Sequence, residues 1–522
     1  MQCPKARHVK LWIFPIAGFA ALLWWLIRVI PKPSRAAYPC QRAAAPLASG
    51  FVIWLLGAVS SALLFRRGRR LWGSSRALAC VSLALAAALG IGTLATSRAP
   101  EASAAQTPNQ PLGVGKGIYP GRVVWAHDAD ATNWEGPGDG HWWEASHTSQ
   151  AVVDRMMSGA IQRLAGKKND REAWDAIFRH FNRTHARGDN PYRPGEKIMI
   201  KVNLVGCIVG GNGSAVDPKT YDLVRSEDYM NSAPQMVVAL LRQLVKAGAR
   251  QEDISVGDPL SLYPNQFVEI CRREFPDVRY LDHDGGNAEH PRAPIRFSSV
   301  PFYWSARPEG KTQDYIPEPY AQATYLVNMA NFKAHNSAGV TLCAKNHYGS
   351  LFRKPPEKGY YDMHSSMPSE IRVNGRYRAL VDLMGHAHLG GKTVLYLIDG
   401  LYPGIHPKGR VPVKWATFGG DWASSLFASQ DAVAIDSVAV DFLQAEWSDV
   451  PHMPGTDDYL HEAALANDPP SHTFYDPDHA TNTKRLSSLG VHEHWNNPQA
   501  KQYSRNLGKR EGIELVRAER KG

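Results

Sequence analysis

The stretch APQMVVALLRQLVKAGARQEDISVGD, residues 233–258, sets a helix and a strand back to back. Leu240, Leu241, Leu244 and Val245 recur at helical spacing, and the run stops at Gly248, which reads as a C-cap. A short strand over 253–256 follows and ends in Gly257-Asp258-Pro259. The same alternation extends outward in both directions. Strands are expected at 122–127, 197–205, 253–256, 278–281, 323–329 and 392–398. Helices are expected at 150–164, 171–186, 233–247, 377–384 and 433–446. Alternation of this kind predicts an α/β fold whose largely parallel sheet is flanked by helices.

The segment 117–450 therefore reads as one elaborated α/β domain. Residues 98–116, rich in Ala, Pro, Ser and Gln, read as a linker. Residues 451–522 form a loop-rich extension dense in Pro, Asn, Asp and His. Tyr459, Leu460, Trp495 and Tyr503 give that extension enough apolar surface to pack on the core.

Charge divides the chain differently. The net charge of +10 comes from 59 Lys and Arg against 49 Asp and Glu, but 13 of the cations and none of the acids fall within residues 1–100. The rest of the chain is slightly acidic, which excludes a nucleic-acid-binding body. Three apolar runs sit in the basic region, and 1–97 is read as a membrane region with transmembrane helices at about 11–30, 50–66 and 77–96. The cations flanking the runs place the N-terminus in the cytoplasm by the positive-inside bias, leaving the body periplasmic or extracellular. Arg69-Arg70-Leu71-Trp72 with Ala102-Ser103-Ala104 also resembles an export signal with its cleavage site; either reading exports the body.

Six cysteines are scattered as Cys3, Cys40, Cys80, Cys207, Cys271 and Cys343, with no Cys-x-x-Cys, so there is no iron–sulfur or zinc-ribbon motif. Histidine is more informative, because 19 of the 20 lie beyond residue 100. His-x-His pairs occur at His386/His388 and His492/His494. On extended chain such a pair points to one side and can share an ion, whereas on a helix it diverges. His386 follows a helical stretch.

In open parallel sheets, ligands bind beyond the carboxyl ends of the strands. Here those ends carry Lys201 and Asn203, Asp258, Lys333 and His335, and Asp399. The densest constellation is Asn331-Phe332-Lys333-Ala334-His335 followed by Lys345-Asn346-His347-Tyr348-Gly349. Lys333, Lys201, Asn203 and Asn346 are candidate binders of a carboxylate or phosphate. His335, His347 and Lys345 are the candidate catalytic groups. Asp258, Asp399, Asp431 and Asp436 are the candidate metal ligands, and a mixed oxygen and nitrogen set points to a hard or borderline divalent ion.

These residues are similar to the signature blocks of the Domain of Unknown Function 362 family. The blocks are Lys333–His335, Lys345-Asn346 to Gly349, and Ser429-Gln430-Asp431-Ala432-Val433-Ala434-Ile435-Asp436, supported by Lys201-Val202-Asn203-Leu204, Val256-Gly257-Asp258 and Ile398-Asp399-Gly400. The resemblance covers about 115–450 and implies an α/β core but no established activity. Some relatives carry a ferredoxin-like module, which three dispersed body cysteines cannot build. The resulting expectation is a membrane-anchored, outward-facing domain acting as a metal-dependent enzyme on a small anionic substrate. The alternatives are a non-catalytic ligand- or partner-binding module of the cell envelope, and a redox-associated protein by family analogy.

Overall fold

The computed structural model describes residues 19–24, 26–27, 30, 39–96, 109–209, 215–224, 229–306, 313–335, 338–351, 363–366, 375–404, 411–447, 455–479 and 485–518. The chain divides into two compact units, Met1–Thr107 and Pro108–Gly522.

In the first unit, α1 (Pro39–Leu71) and α2 (Arg76–Thr96) pack against each other, with the Ser61 hydroxyl donating to the Ala86 carbonyl at 2.7 Å. The three expected transmembrane helices are not borne out: no described helix is long and apolar enough to cross a membrane. The run at 50–66 does not stand as a separate apolar segment. It continues without a break through Arg66, Arg67, Arg69 and Arg70 as part of α1. The run at 77–96 forms all but the first residue of α2. The run at 11–30 lies mostly outside the described residues.

The second unit is mixed α/β. The strands of its main sheet are β1 (Arg122–His127), β2 (Ile198–Lys201), β3 (Ile254–Gly257), β4 (Arg279–Leu281), β5 (Tyr325–His335), β6 (Gly339–Thr341), β7 (Thr393–Gly404), β8 (Ser425–Ser429) and β9 (Glu514–Ala518). They form one sheet in the order β9-β1-β8-β7-β5-β2-β3-β4, with β6 paired to β5. The β9–β1, β7–β5, β5–β2, β2–β3 and β3–β4 pairs are parallel, while β8 runs antiparallel to both its neighbours and β6 antiparallel to β5.

Helices cover both faces. On one lie α3 (Gln150–Ala165), α4 (Asp170–Thr184), α5 (Pro234–Lys246) and α6 (Asn265–Arg272). On the other lie α7 (Cys343–Asn346), α8 (Ala379–Gly385), α9 (Ala432–Glu446) and α10 (Asp458–Ala464). Strand alternation feeds the two cores: Val327 and Met329 of β5 face the first layer, Leu326, Ala330 and Phe332 the second. In α3 the residues Val152, Val153, Met156, Ala160, Ile161 and Leu164 bury one stripe, and the helix ends on Gly166 at φ +65.

Two strands run further than their sequence suggests. β5 continues to His335 and β7 to Gly404, every residue of both buried. Asn328, Asn331, Lys333 and His335 disguised β5 as a polar loop, because buried polar side chains break the apolar run while the backbone ladder continues. β2 is shorter than expected. Beyond Lys201 the chain leaves the ladder and turns at Leu204 into a short helical turn.

The strand order fixes where a ligand would sit. The chain adds β3 and β4 on one side of β2, then crosses back to lay β5 and β7 on the other. The β2–β5 boundary is thus a topological switch point, the place beyond whose strand carboxyl ends open parallel sheets bind ligands.

Candidate functional site

Lys201 occupies that boundary as the last residue of β2. Its side chain is fully buried; Nζ donates to the Val202 carbonyl at 2.5 Å and to Asn346 Oδ1 at 2.9 Å, and lies 3.1 Å from Asp258 Oδ2. Burial pulls the Lys201 ammonium below the usual lysine range, and the Asp258 carboxylate opposes that pull. Asp258 follows β3 and also accepts the amides of Leu204 at 3.0 Å and Leu260 at 3.3 Å. Gly349 closes over the pair: a Cβ there would stand 2.9 Å from Lys201 Nζ and 3.0 Å from Asp258 Oδ1.

Asn346, at the end of α7, ties the neighbouring strands together. Its Oδ1 accepts from Lys201 and from Asn203 Nδ2 at 3.1 Å, and its Nδ2 donates to Asn328 Oδ1 at 2.7 Å and to the Met329 carbonyl at 3.1 Å. Asn203 is partly exposed. It is held from the other side by Ser232, whose hydroxyl accepts the Asn203 amide at 2.8 Å, and by Asn331, whose Nδ2 donates to the Asn203 carbonyl at 3.3 Å.

His347 adjoins this network and is fully buried. Neither ring nitrogen has a hydrogen-bond partner among the described residues, and the same holds for Asn203 Oδ1. Burial, with Lys201 adding to it, pushes His347 down to about 3, so its imidazole is neutral near pH 7. Buried polar atoms without partners are uncommon because each costs free energy. His347 and Asn203 therefore stand out beside the Lys201–Asn346 network.

The other sequence candidates lie elsewhere. Lys333 is buried in β5, donating to Thr341 Oγ1 at 2.7 Å across the β5–β6 pair. Burial and the neighbouring Lys345 hold it well below the lysine range. Lys345 is half-buried, its ammonium 5.3 Å from the Tyr348 ring centroid. His335 sits at the β5–β6 turn, where its Nδ1 accepts the Ala338 amide at 3.2 Å.

The four aspartates each hold backbone. Asp399 accepts the amides of Ala233 at 2.7 Å and Leu401 at 3.1 Å, and burial raises it to about 6. Asp431 caps α9 through the Val433 and Ala434 amides and also accepts those of Lys116 and Val491. Asp436 accepts the Cys343 amide at 2.9 Å and the Ala344 amide at 3.0 Å, plus the Tyr459 hydroxyl at 2.9 Å. No three of these carboxylates converge on a point among the described residues. Of the histidine pairs, His386 meets the Pro301 carbonyl at 3.0 Å and Asp478 at 3.2 Å, and the His388 amide donates to His386 Nδ1.

Residues 222–441 match the model of a family described as Domain of unknown function (DUF362). The chain carries a DUF362 domain. No curated protein and no solved structure matches it. The matched stretch is narrower than the span read from sequence. It includes Asp258, Asn328, Asn346 and His347, while Lys201 and Asn203 lie upstream of it. Sequence reasoning passed over Ser232, Tyr320 and Ser350. Ser232 stands two residues before the Pro that opens α5, a helix-start signal that could have drawn attention to it; the other two carry no such mark.

Proposed function

We propose that the switch-point crevice of the DUF362 domain binds a small anionic ligand and exchanges a proton with it through His347. Lys201 and Asn346 fix the floor of the site, Asn203 offers an amide at its partly exposed edge, and Lys345 supplies positive charge on the same short helix. The observation that carries this reading is the buried His347 ring, both of whose nitrogens lack a hydrogen-bond partner among the described residues, beside the Lys201 ammonium. An anion arriving next to a neutral imidazole stabilises its protonated form, so binding would draw a proton onto His347. That coupling is what general acid–base chemistry requires.

The test is calorimetry of the full chain with inorganic phosphate and with succinate, repeated in buffers of different ionisation enthalpy. The expected result is binding of one of these anions with proton uptake that disappears in His347→Gln. Binding without proton uptake would favour the second reading, a non-catalytic binding module, which draws support from Asn346 spending both amide atoms inside the protein. Absence of binding by either anion would remove the anionic-ligand reading.

A further inference from the structure

Apart from the crevice, one cluster in the C-terminal extension has the composition and spacing of a cation site. Asp457, His461 and His492 each present a ligand atom, all within 4.8 Å of one another. They come from different parts of the chain. Asp457 precedes α10 and His461 lies one turn along it, so the two share a helix face at i and i+4. His492 belongs to the short extended pair Val491–His492, held antiparallel to Leu112–Gly113. The His461 and His492 rings stand 4.6 Å apart, nearly perpendicular.

Hydrogen bonds set both rings in the same tautomer. His461 Nδ1 lies 3.0 Å from the Asp457 main-chain carbonyl, an acceptor only, so this nitrogen carries the proton. His492 Nδ1 lies 2.8 Å from the Ser437 hydroxyl, whose own proton goes to the Val433 carbonyl at 2.7 Å. Ser437 therefore accepts, and His492 Nδ1 is also protonated. In both rings the lone pair is left on Nε2. A metal-binding histidine needs this arrangement, its outer nitrogen donating to a protein acceptor while the inner one faces the ion. Asp457 is oriented as well: its Oδ2 meets His494 Nε2 at 3.1 Å, and His494 Nδ1 meets Asp441 Oδ1 at 2.6 Å. The His492/His494 pair noted in the sequence is thus divided, with His492 turned to the cluster and His494 bridging two carboxylates.

We propose that Asp457, His461 and His492 bind one divalent transition-metal ion of the zinc or ferrous class. Two imidazole nitrogens and one carboxylate oxygen, without thiolate, suit a borderline ion and leave a coordination position open. Ligand atoms around a tetrahedral ion at about 2.1 Å stand roughly 3.4 Å apart, so a modest side-chain rotation closes the set. Asp457 and His492 are buried and His461 is half-buried, which puts the approach on the His461 side. The ion would join α10 to the 491–494 segment and, through Ser437, to α9.

The experiment uses the full chain, stripped with chelator and titrated with zinc, with ferrous iron under anaerobic conditions, and with cobalt(II) followed by visible absorption. Binding of one equivalent of zinc or iron, with a cobalt spectrum of mixed nitrogen and oxygen ligation, is the expected result; whichever ion binds tighter identifies the class. His461→Ala and Asp457→Asn should each abolish stoichiometric binding, and Ser437→Ala, which removes only the orienting acceptor, should weaken it by roughly 10–100-fold. The exposed His185→Ala should change nothing. Failure of the wild-type chain to take up one equivalent overturns the proposal even if the variants misfold. So does an unchanged cobalt spectrum in folded His461→Ala.

Discussion

The Lys201 ammonium stands 3.1 Å from the Asp258 carboxylate, with both side chains shut off from solvent at the end of adjacent parallel strands. The pair joins β2 to β3 on the side of β2 away from the β2–β5 boundary, where the sheet changes winding direction, and Asn346 is built onto it. A buried ion pair is not a cheap way to hold two strands together, since apolar residues do so without desolvating charge. Its placement at the crevice, instead of in the body of the sheet, ties it to the site.

Removing one partner should be costly. Lys201→Met leaves the Asp258 carboxylate buried with only the Leu204 and Leu260 amides, and Asp258→Asn leaves the ammonium with neutral acceptors. Each should lower stability by about 3–5 kcal/mol in urea denaturation. The double variant Lys201→Met with Asp258→Asn should lose less than the sum of the singles, by about 0.5–3 kcal/mol. Strict additivity would mean that the two charges do not interact.

His347 makes a prediction about pH. Its folded value near 3 lies below the ordinary 6.5, so below about pH 6.5 the unfolded chain takes up a proton that the folded chain refuses. The stability tied to neutral His347 is therefore present above about pH 6.5 and is lost as pH falls toward 3, at up to about 1.4 kcal/mol per unit. Asp399 and Asp436, both raised to about 6, act in the opposite sense, because their folded carboxyls keep protons that the unfolded chain releases. The measurement is thus a difference. Relative to His347→Gln, the wild type should lose stability as the pH is lowered from 6.5 to 4, and a flat difference would show that the ring is not held neutral.

Legibility in the sequence followed apolar periodicity. The core helices at 150–165, 170–184, 234–246 and 432–446 and the strand at 122–127 carry their signal in spacing, and they form within a residue or two of expectation. The expected strands include neither β8, whose three apolar residues sit between serines, nor β9, a short edge strand mixing charge with apolar residues. Lys201, Asn203, Asn346 and His347 were visible as polar groups near strand ends, but their convergence depends on strand order, which local pattern does not encode. Asp431, the N-cap of α9, and Asp436, one turn inside it, both accept backbone amides, contacts that sequence pattern alone does not reveal.

Asp431 illustrates how much one such carboxylate can hold. One oxygen caps α9 through the Val433 and Ala434 amides; the other accepts the Lys116 amide at 2.8 Å and the Val491 amide at 3.2 Å, joining segments far apart in sequence. Asp431→Ser keeps a capping oxygen but is too short for the second set, while Asp431→Ala loses both. The cap should account for about 1 kcal/mol between Ser and Ala. The two stranded amides should add about 1–3 kcal/mol to both variants, read by thermal or urea unfolding. Equal stability of Ser and wild type would show that the tie to Lys116 and Val491 contributes nothing.

Asp436 is the link between α10 and the candidate site. Its carboxylate takes the Cys343 and Ala344 amides that open α7, and the Tyr459 hydroxyl from α10 fixes that carboxylate in place. Tyr459→Phe removes one hydrogen bond but leaves both amides satisfied, so it should cost only about 0.5–1.5 kcal/mol. Asp436→Ala orphans two buried amides at the start of a helix of four residues, which has no length with which to sustain itself. Its cost should reach about 2–4 kcal/mol, from two such groups at about 1–2 kcal/mol each. The two variants should also differ locally. Hydrogen exchange at residues 343–350 should accelerate strongly in Asp436→Ala and little in Tyr459→Phe, with α3 and α4 unchanged. If exchange rose equally across the sheet, Asp436 would be supporting global stability alone, and the positioning of Asn346 and His347 would have to come from the Lys201 side.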